Sequence, residues 1–240
     1  MNGFIHSIES LAAVDGAGLR CAVFLSGCPL RCVYCHNPDT WEKGGTSWTA
    51  EDLVKKIARF KPYFSTNGGA TFSGGEPLLQ AEFLLECAQI LEKEGIPFVL
   101  DTSGSVPLSQ EVRYLTEKSE SVLLDLKFWD DSSYRNHTGQ GMDRTLEYLR
   151  FLDEIGKKTV LRTVIVPEIN DTEEALDRYL SLVQGFSCIT EYELLPFHTL
   201  GFHKYEALGI CNPLKDYKAL NPEVKDKLQE YVNTKRKTNA

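Results

Sequence analysis

Cys28-Pro-Leu-Arg-Cys32-Val-Tyr34-Cys35-His36-Asn37 closely follows the first apolar run of the chain, residues 19–25. Three thiols fall within eight residues, spaced three and then two residues apart, with an aromatic side chain just before the last. Thiolates are soft ligands that suit zinc, copper(I) or iron–sulfur clusters. A structural zinc site or an ordinary cluster takes four protein ligands. Here the close group stops at three, and no fourth cysteine lies nearby. A [4Fe-4S] cluster on Cys28, Cys32 and Cys35 would keep one iron open for a substrate. Two blander readings stand beside it: a zinc site completed by His36 or a distant cysteine, or structural thiols and disulfide partners. Seven cysteines is an odd number and no secretory context appears, which weighs against disulfides.

Outward from this loop the chain alternates. Residues 19–25 read as a buried strand. Thr49 is a plausible N-cap for a helix with Leu53, Val54, Ile57 and Phe60 on one face, ended by Pro62. A short strand at 70–73 breaks at Gly74-Gly75-Glu76-Pro77, and an amphipathic helix from 78 to 94 stops at Gly95. Further strands are expected at 97–101, 122–127, 159–166 and 189–195. Helices are expected near 109–117, 145–155, 172–183 and 222–234. Strands alternating with helices of this length imply parallel β-α units. Six strands are too few for a closed eight-stranded barrel. The expected architecture is α/β, an open partial TIM-type barrel, (β/α)6, with parallel strands, in a single domain over residues 1–240. Its working residues should lie at the C-terminal strand ends.

Composition sets limits. With 42% hydrophobic and 25% charged residues, 240 residues are ample for a globular core. A net charge of −8, with no basic block before Lys235-Arg236-Lys237, argues against nucleic acid as a partner. Those last residues read as a frayed, solvated tail. The N-terminus lacks the apolar core of a signal peptide, and no stretch is long enough to span a membrane, so a cytoplasmic, reducing setting is expected.

In that architecture one set of groups gathers at the strand ends: the three cysteines, Gly74-Gly75-Glu76-Pro77, Asp101-Thr102, Asp125 with Lys127, Arg162 and His198. Two glycines let a ligand approach backbone, while Glu76 can accept from an ammonium group; alternatively the motif is only a turn with Pro77 opening the helix. Asp101 and Asp125 end neighbouring strands, and two buried like charges need a cation between them, either Lys127 or a metal ion. The plainer alternatives are an Asx turn at Asp101 and a solvated strand end at Asp125. His198 is a loop residue after a strand, and lone histidines are commonly structural. Cys21, Cys87 and Cys188 fall inside expected elements and read as core residues; Cys211 carries no assignment.

The cysteine spacing with Tyr34 before Cys35, followed by Gly-Gly-Glu-Pro, resembles the radical S-adenosylmethionine enzymes. A finer resemblance, to the pyruvate formate-lyase activating branch, runs over nearly the whole chain. It rests on Ile5-His-Ser-Ile-Glu9, Val14-Asp-Gly-Ala-Gly-Leu-Arg20, Tyr34-Cys-His-Asn37, Asp39-Thr-Trp41, Leu124-Asp-Leu-Lys127 and Leu194-Leu-Pro-Phe-His198-Thr-Leu-Gly201. The resemblance implies that Cys28, Cys32 and Cys35 hold the cluster, and that the open iron takes S-adenosylmethionine. It implies cofactor contacts at Tyr34, Cys35, His36, Gly74, Gly75, Glu76, Thr102, Asp125, Leu126, Lys127, Arg162, Val164, Leu195 and His198. It implies a monovalent cation, sodium or potassium, at Asp101, Thr102 and Asp125. Asp15, His36 and Lys127 match residues the family uses where a partner's glycine loop enters. The implied reaction reductively cleaves S-adenosylmethionine to a 5′-deoxyadenosyl radical, which takes hydrogen from a glycine of pyruvate formate-lyase. A flavodoxin-type electron donor and a monomeric state go with it. Ala17 stands where the family usually has Pro. The 38 residues between Cys35 and Gly74 contain no cysteine, whereas activators of several other glycyl-radical enzymes carry a ferredoxin-like insertion there. An activator of a different partner, a small-molecule radical enzyme and a zinc-stabilised binding module remain as alternatives.

Overall fold

The computed structural model describes residues 1–238. Six strands run parallel in one sheet: β2 (Arg20–Leu25), β4 (Gly69–Gly74), β5 (Phe98–Thr102), β6 (Ser121–Asp125), β7 (Thr159–Ile165) and β8 (Ile189–Pro196). These are the six read from sequence. They were legible because a parallel strand buried on both faces is a continuous apolar run, as Phe98 to Leu100 and Val122 to Leu124 illustrate.

Two further strands extend the sheet. β1 (Asn2–Ala12) pairs antiparallel with β2, and β3 (Thr46–Thr49) pairs antiparallel with β1, giving the order β3-β1-β2-β4-β5-β6-β7-β8. The open parallel half-barrel therefore carries an antiparallel flap on one edge, which the sequence reading omitted. Only two residues of β1, Gly3 and Ile5, are buried, so it shows no apolar run to read.

The helices pack outside. α1 (Ala50–Ala58) is capped by Thr49, whose hydroxyl accepts from Asp52 N at 3.1 Å, and it buries Leu53, Val54 and Ile57. Such a cap is worth about 1 kcal/mol. A turn of 3-10 helix (Pro77–Gln80) precedes α2 (Ala81–Lys93), which ends before Gly95 at φ +62°. α3 (Gln110–Lys118), α5 (Asp143–Glu154) and α6 (Glu173–Val183) follow the expected stripes. Two helices were not expected. α4 (Asp131–Thr138) buries only Tyr134 and Thr138, and α7 (Phe202–Leu208) buries only Tyr205, so neither shows a stripe.

α8 (Pro222–Thr238) continues through the residues read as a frayed tail. Lys235 pairs with Asp177 at 3.3 Å, and Arg236 donates to the Ile189 carbonyl at 2.7 Å. The main core lies between sheet and helices, and Cys21, Cys87 and Cys188 sit in it. A smaller apolar cluster of Leu30, Cys32, Tyr34, Phe128, Tyr134 and Phe197 underlies the cysteine loop.

Candidate active site

The cysteine loop leaves β2 through Gly27 and is fixed by main-chain bonds: Cys28 N to Trp41 O at 3.0 Å, Arg31 N to Thr138 O at 2.7 Å and Val33 N to His137 O at 2.9 Å. Arg31 donates back to the Cys28 and Leu30 carbonyls, and Tyr205 of α7 donates to Cys35 O at 2.8 Å. α4 and α7, unforeseen from sequence, thus hold the loop from both sides. The three cysteines share one wall of a cavity of about 500 Å³ inside the half-barrel. Burial pushes the Cys28 and Cys32 thiols up to about 12 each. Burial also raises Cys35, against the opposing effect of the Asn37 N–H and the Trp41 side chain. Alone these thiols keep their protons; a metal centre would draw them off. Among the described residues no three His, Cys, Asp or Glu side chains converge closely enough for a single ion. Three soft thiol donors on one cavity are a donor set that an iron–sulfur cluster takes.

The glycines at the end of β4 line the same cavity, but their lack of a side chain answers first to packing. Gly74 has φ +112°, and a Cβ there would lie 2.3 Å from the Leu25 backbone; one on Gly75 would lie 2.3 Å from Gly27 O. Glu76 is fully buried and is not part of the cavity lining. One oxygen accepts from Leu78 N at 3.1 Å and Thr102 Oγ1 at 2.5 Å, the other from Ser103 N at 3.0 Å and Ser103 Oγ at 2.6 Å. Its visible work is to hold the turn after β5. Burial raises its pKa against those four donors. Leu126 likewise lies in the main core and donates its N–H to Arg162 O at 2.8 Å.

A buried charge array lines the same cavity. The sequence reading asked for a cation between Asp101 and Asp125, and offered Lys127 or a metal. The residue between them is Arg162, which donates to Asp101 Oδ1 through Nη2 and to Asp125 Oδ1 at 2.9 and 3.0 Å. Lys127 adds a 2.8 Å bond to Asp125. Arg162 is not at a strand end: it lies mid-β7, opposite Asp125 in the register, and reaches along the sheet. Burial works against Asp125, but Arg162 and Lys127 outweigh it and hold it down to about 2. Asp101 shares Arg162 with Asp125, and burial, with the neighbouring Asp125 charge, outweighs that guanidinium and lifts it to about 6. Ser73 Oγ donates to Asp101 at 2.7 Å. Asp15 enters this array from the β1–β2 loop rather than from a strand end, and burial raises its pKa.

His36 and His198 face each other, with ring centroids 5.0 Å apart. Burial, with help from His198 and Lys204, lowers His36 to about 4, so it is neutral near pH 7. Two buried polar atoms on the cavity wall have no partner, Tyr34 OH and His198 Nδ1. Orphans of this kind point to a missing ligand. Val164, Leu195 and Thr102 complete the wall together with residues the sequence reading did not select, notably Ser103, Trp41 and Glu193. Ser103 was hidden within an apparent turn; Trp41 appeared only as part of a motif.

The model of the family described as "Radical SAM superfamily" matches residues 22–180. The pyruvate formate-lyase-activating enzyme of Clostridium pasteurianum is 44% identical over 96% of this chain and 97% of its own length. That of Staphylococcus aureus strain USA300 is 37% identical over 99% and 98%. This chain belongs to the pyruvate formate-lyase-activating family of radical SAM enzymes. Solved structures agree on the fold. A radical SAM methyltransferase from Sphaerobacter thermophilus superposes with a TM-score of 0.64 at 18% identity, covering 90% of this chain and 64% of its own. A domain of a pyruvate-formate lyase-activating enzyme from Bacteroides vulgatus gives 0.56 at 21% identity, covering 70% and 94%. Membership of the radical SAM family implies a [4Fe-4S] cluster and S-adenosylmethionine. The site fits both: three soft donors, a buried charge array, and two residues with an unpartnered polar atom, Tyr34 and His198, line one cavity.

Proposed function

We propose that this chain activates pyruvate formate-lyase. The observation that carries the reading is that Cys28, Cys32 and Cys35 line one cavity together with the Asp101–Arg162–Asp125–Lys127 array. Cys28, Cys32 and Cys35 would hold the cluster, which with bound S-adenosylmethionine would supply reductive carbon–sulfur cleavage and a 5′-deoxyadenosyl radical for hydrogen abstraction from a glycine.

The chain's own residues bind, orient and exclude water. Tyr34, His36 and His198 offer an aromatic and imidazole wall for the adenine side, with Gly74, Gly75, Val164 and Leu195 around the rest. Arg162 and Lys127 offer charge to the methionyl carboxylate, and Asp101 or Thr102 accepts from its ammonium. Glu76 and Leu126 act through the turn after β5 and through the β6–β7 pairing. Sodium or potassium at Asp101, Thr102 and Asp125 would share those carboxylates with Arg162. Asp15, His36 and Lys127 meet the incoming glycine loop. A flavodoxin-type donor, a monomeric state, a cytoplasmic location and a single domain over residues 1–240 complete the reading. Nucleic acid has no part in it, and no described helix is long and apolar enough to cross a membrane.

Anaerobic protein reconstituted with iron and sulfide, then mixed with reductant, S-adenosylmethionine and pyruvate formate-lyase, is expected to give a glycine-centred radical doublet in electron paramagnetic resonance, with methionine released. The Cys32→Ala variant is expected to lose both signals and its acid-labile sulfide. A wild-type protein giving neither signal, or a variant that still cleaves, would overturn the reading.

A further inference from the structure

Arg20 opens β2 and is the largest fully buried side chain, at 0% exposure. A buried guanidinium must satisfy its donors. Nε donates to Thr71 Oγ1 at 2.8 Å, Nη1 to Ala17 O at 2.9 Å and Asn67 O at 3.1 Å, and Nη2 to Ala70 O at 2.8 Å. Its carboxylate neighbour is Glu120 at 3.6 Å. Thr71, having accepted from Arg20, donates its own hydroxyl proton to Asp15 O at 2.6 Å.

The loop between β1 and β2 is therefore tied at Asp15 and Ala17 to one side chain and its relay. Its shape requires that tie to be close. Gly16 has φ +117°, and a Cβ there would lie 3.0 Å from Arg20 Cδ; Gly18 has φ +74°, and a Cβ there would lie 2.7 Å from the Asn67–Gly68 backbone. Ala17, which stands where the family usually has Pro, has its carbonyl held by Arg20. Beyond the tie, Val14 is 85% exposed at the cavity rim, and Asp15 beside it lines the cavity.

We infer that Arg20 and Thr71 are positioning residues that set the Asp15 loop as a rim for the protein substrate, without touching the cofactor themselves. The inference rests on the proposed function, in which a glycine loop enters past Asp15. Neither residue lines the cavity, so the cleavage chemistry does not depend on them directly. A net hydrogen bond is worth about 1 kcal/mol, a roughly three- to tenfold effect on an equilibrium.

The test uses reconstituted holoenzyme carrying Thr71→Val, which keeps shape and removes the relay, and Thr71→Ser, which keeps the hydroxyl. Arg20→Lys, which keeps the charge but not the fork, is the second probe of the tie. Two rates are read: methionine release without protein substrate, and glycyl-radical formation against pyruvate formate-lyase concentration. Thr71→Val and Arg20→Lys are expected to raise KM for pyruvate formate-lyase roughly three- to tenfold, with kcat and uncoupled methionine release within about twofold of wild type. Thr71→Ser is expected to restore wild-type KM. On an Asp15→Asn background, Thr71→Val is expected to add less than about twofold. An unchanged KM in Thr71→Val, or an equal fall in both rates, would overturn the inference alone. A wild type that releases methionine but never forms the radical would overturn the proposed function and the inference with it.

Discussion

Glu76 shows how the same residue reads differently from sequence and from structure. Beside two glycines it looks like an acceptor for a ligand's ammonium. In the fold both its oxygens are filled by Leu78, Thr102 and Ser103. A carboxylate facing four donors cannot be exchanged for an amide without setting donor against donor. Glu76→Gln is therefore expected to lose about 2 kcal/mol of stability, read as a lower urea midpoint. It should raise KM for S-adenosylmethionine only through loosening of the Thr102–Ser103 turn. A direct ammonium contact would give the opposite pattern, unchanged stability with a large KM effect that vanishes for an analogue lacking the amino group. Arg162 makes the complementary point: its charge was legible, but its place between Asp101 and Asp125 was not, because strand register decides which side chains share a layer.

At the scale of elements, α7 is a short helix whose value lies in what it grips. Lys204 donates to Asn37 Oδ1 at 2.6 Å and pairs with Asp39 at 3.0 Å, while His6 of β1 reaches Asp39 at 3.0 Å. One carboxylate thus joins α7, the flap strand and the segment after the cysteines. Burial opposes the Asp39 charge, but Lys204 and then His6 outweigh it and hold its pKa below 3.8. A depressed carboxylate contributes stability above its unfolded value and loses it as pH falls through the folded one. Asp39→Asn is expected to be less stable than wild type by about 1 kcal/mol at neutral pH. Denaturation midpoints of the two proteins should converge as pH drops below the ordinary 3.8; a gap that persists there would show that the charge is not the cause. α4 and α7 escaped the sequence reading for one reason. A helix clamped by polar contacts, with one or two buried residues, carries no periodic stripe.

Across the whole molecule, an open sheet must protect its edges. At the β8 edge the protection comes from side chains of α8: Gln229 donates to Tyr192 O at 2.8 Å and accepts from Leu194 N at 2.8 Å, and Arg236 donates to Ile189 O at 2.7 Å, together standing in for a neighbouring strand. Gln229→Ala is expected to cost about 1–2 kcal/mol and to increase self-association in sedimentation; a sedimentation profile and a stability both unchanged from wild type would contradict this role.

The six parallel strands, the helices with apolar stripes, the three-thiol loop and the acids at the C-terminal ends of β5 and β6 were all determined by the sequence alone. Each rests on local chemistry: residues 98–100 are apolar because both faces are covered, and three soft donors in eight residues are a ligand set wherever they fold. The tertiary structure alone decided the antiparallel flap, the burial of Arg20 beneath Asp15, the inward turn of Glu76 and the insertion of Arg162 between two carboxylates. Those depend on pairing partners dozens of residues away, and a side chain's charge says nothing of which opposite charge the folded sheet will carry past it.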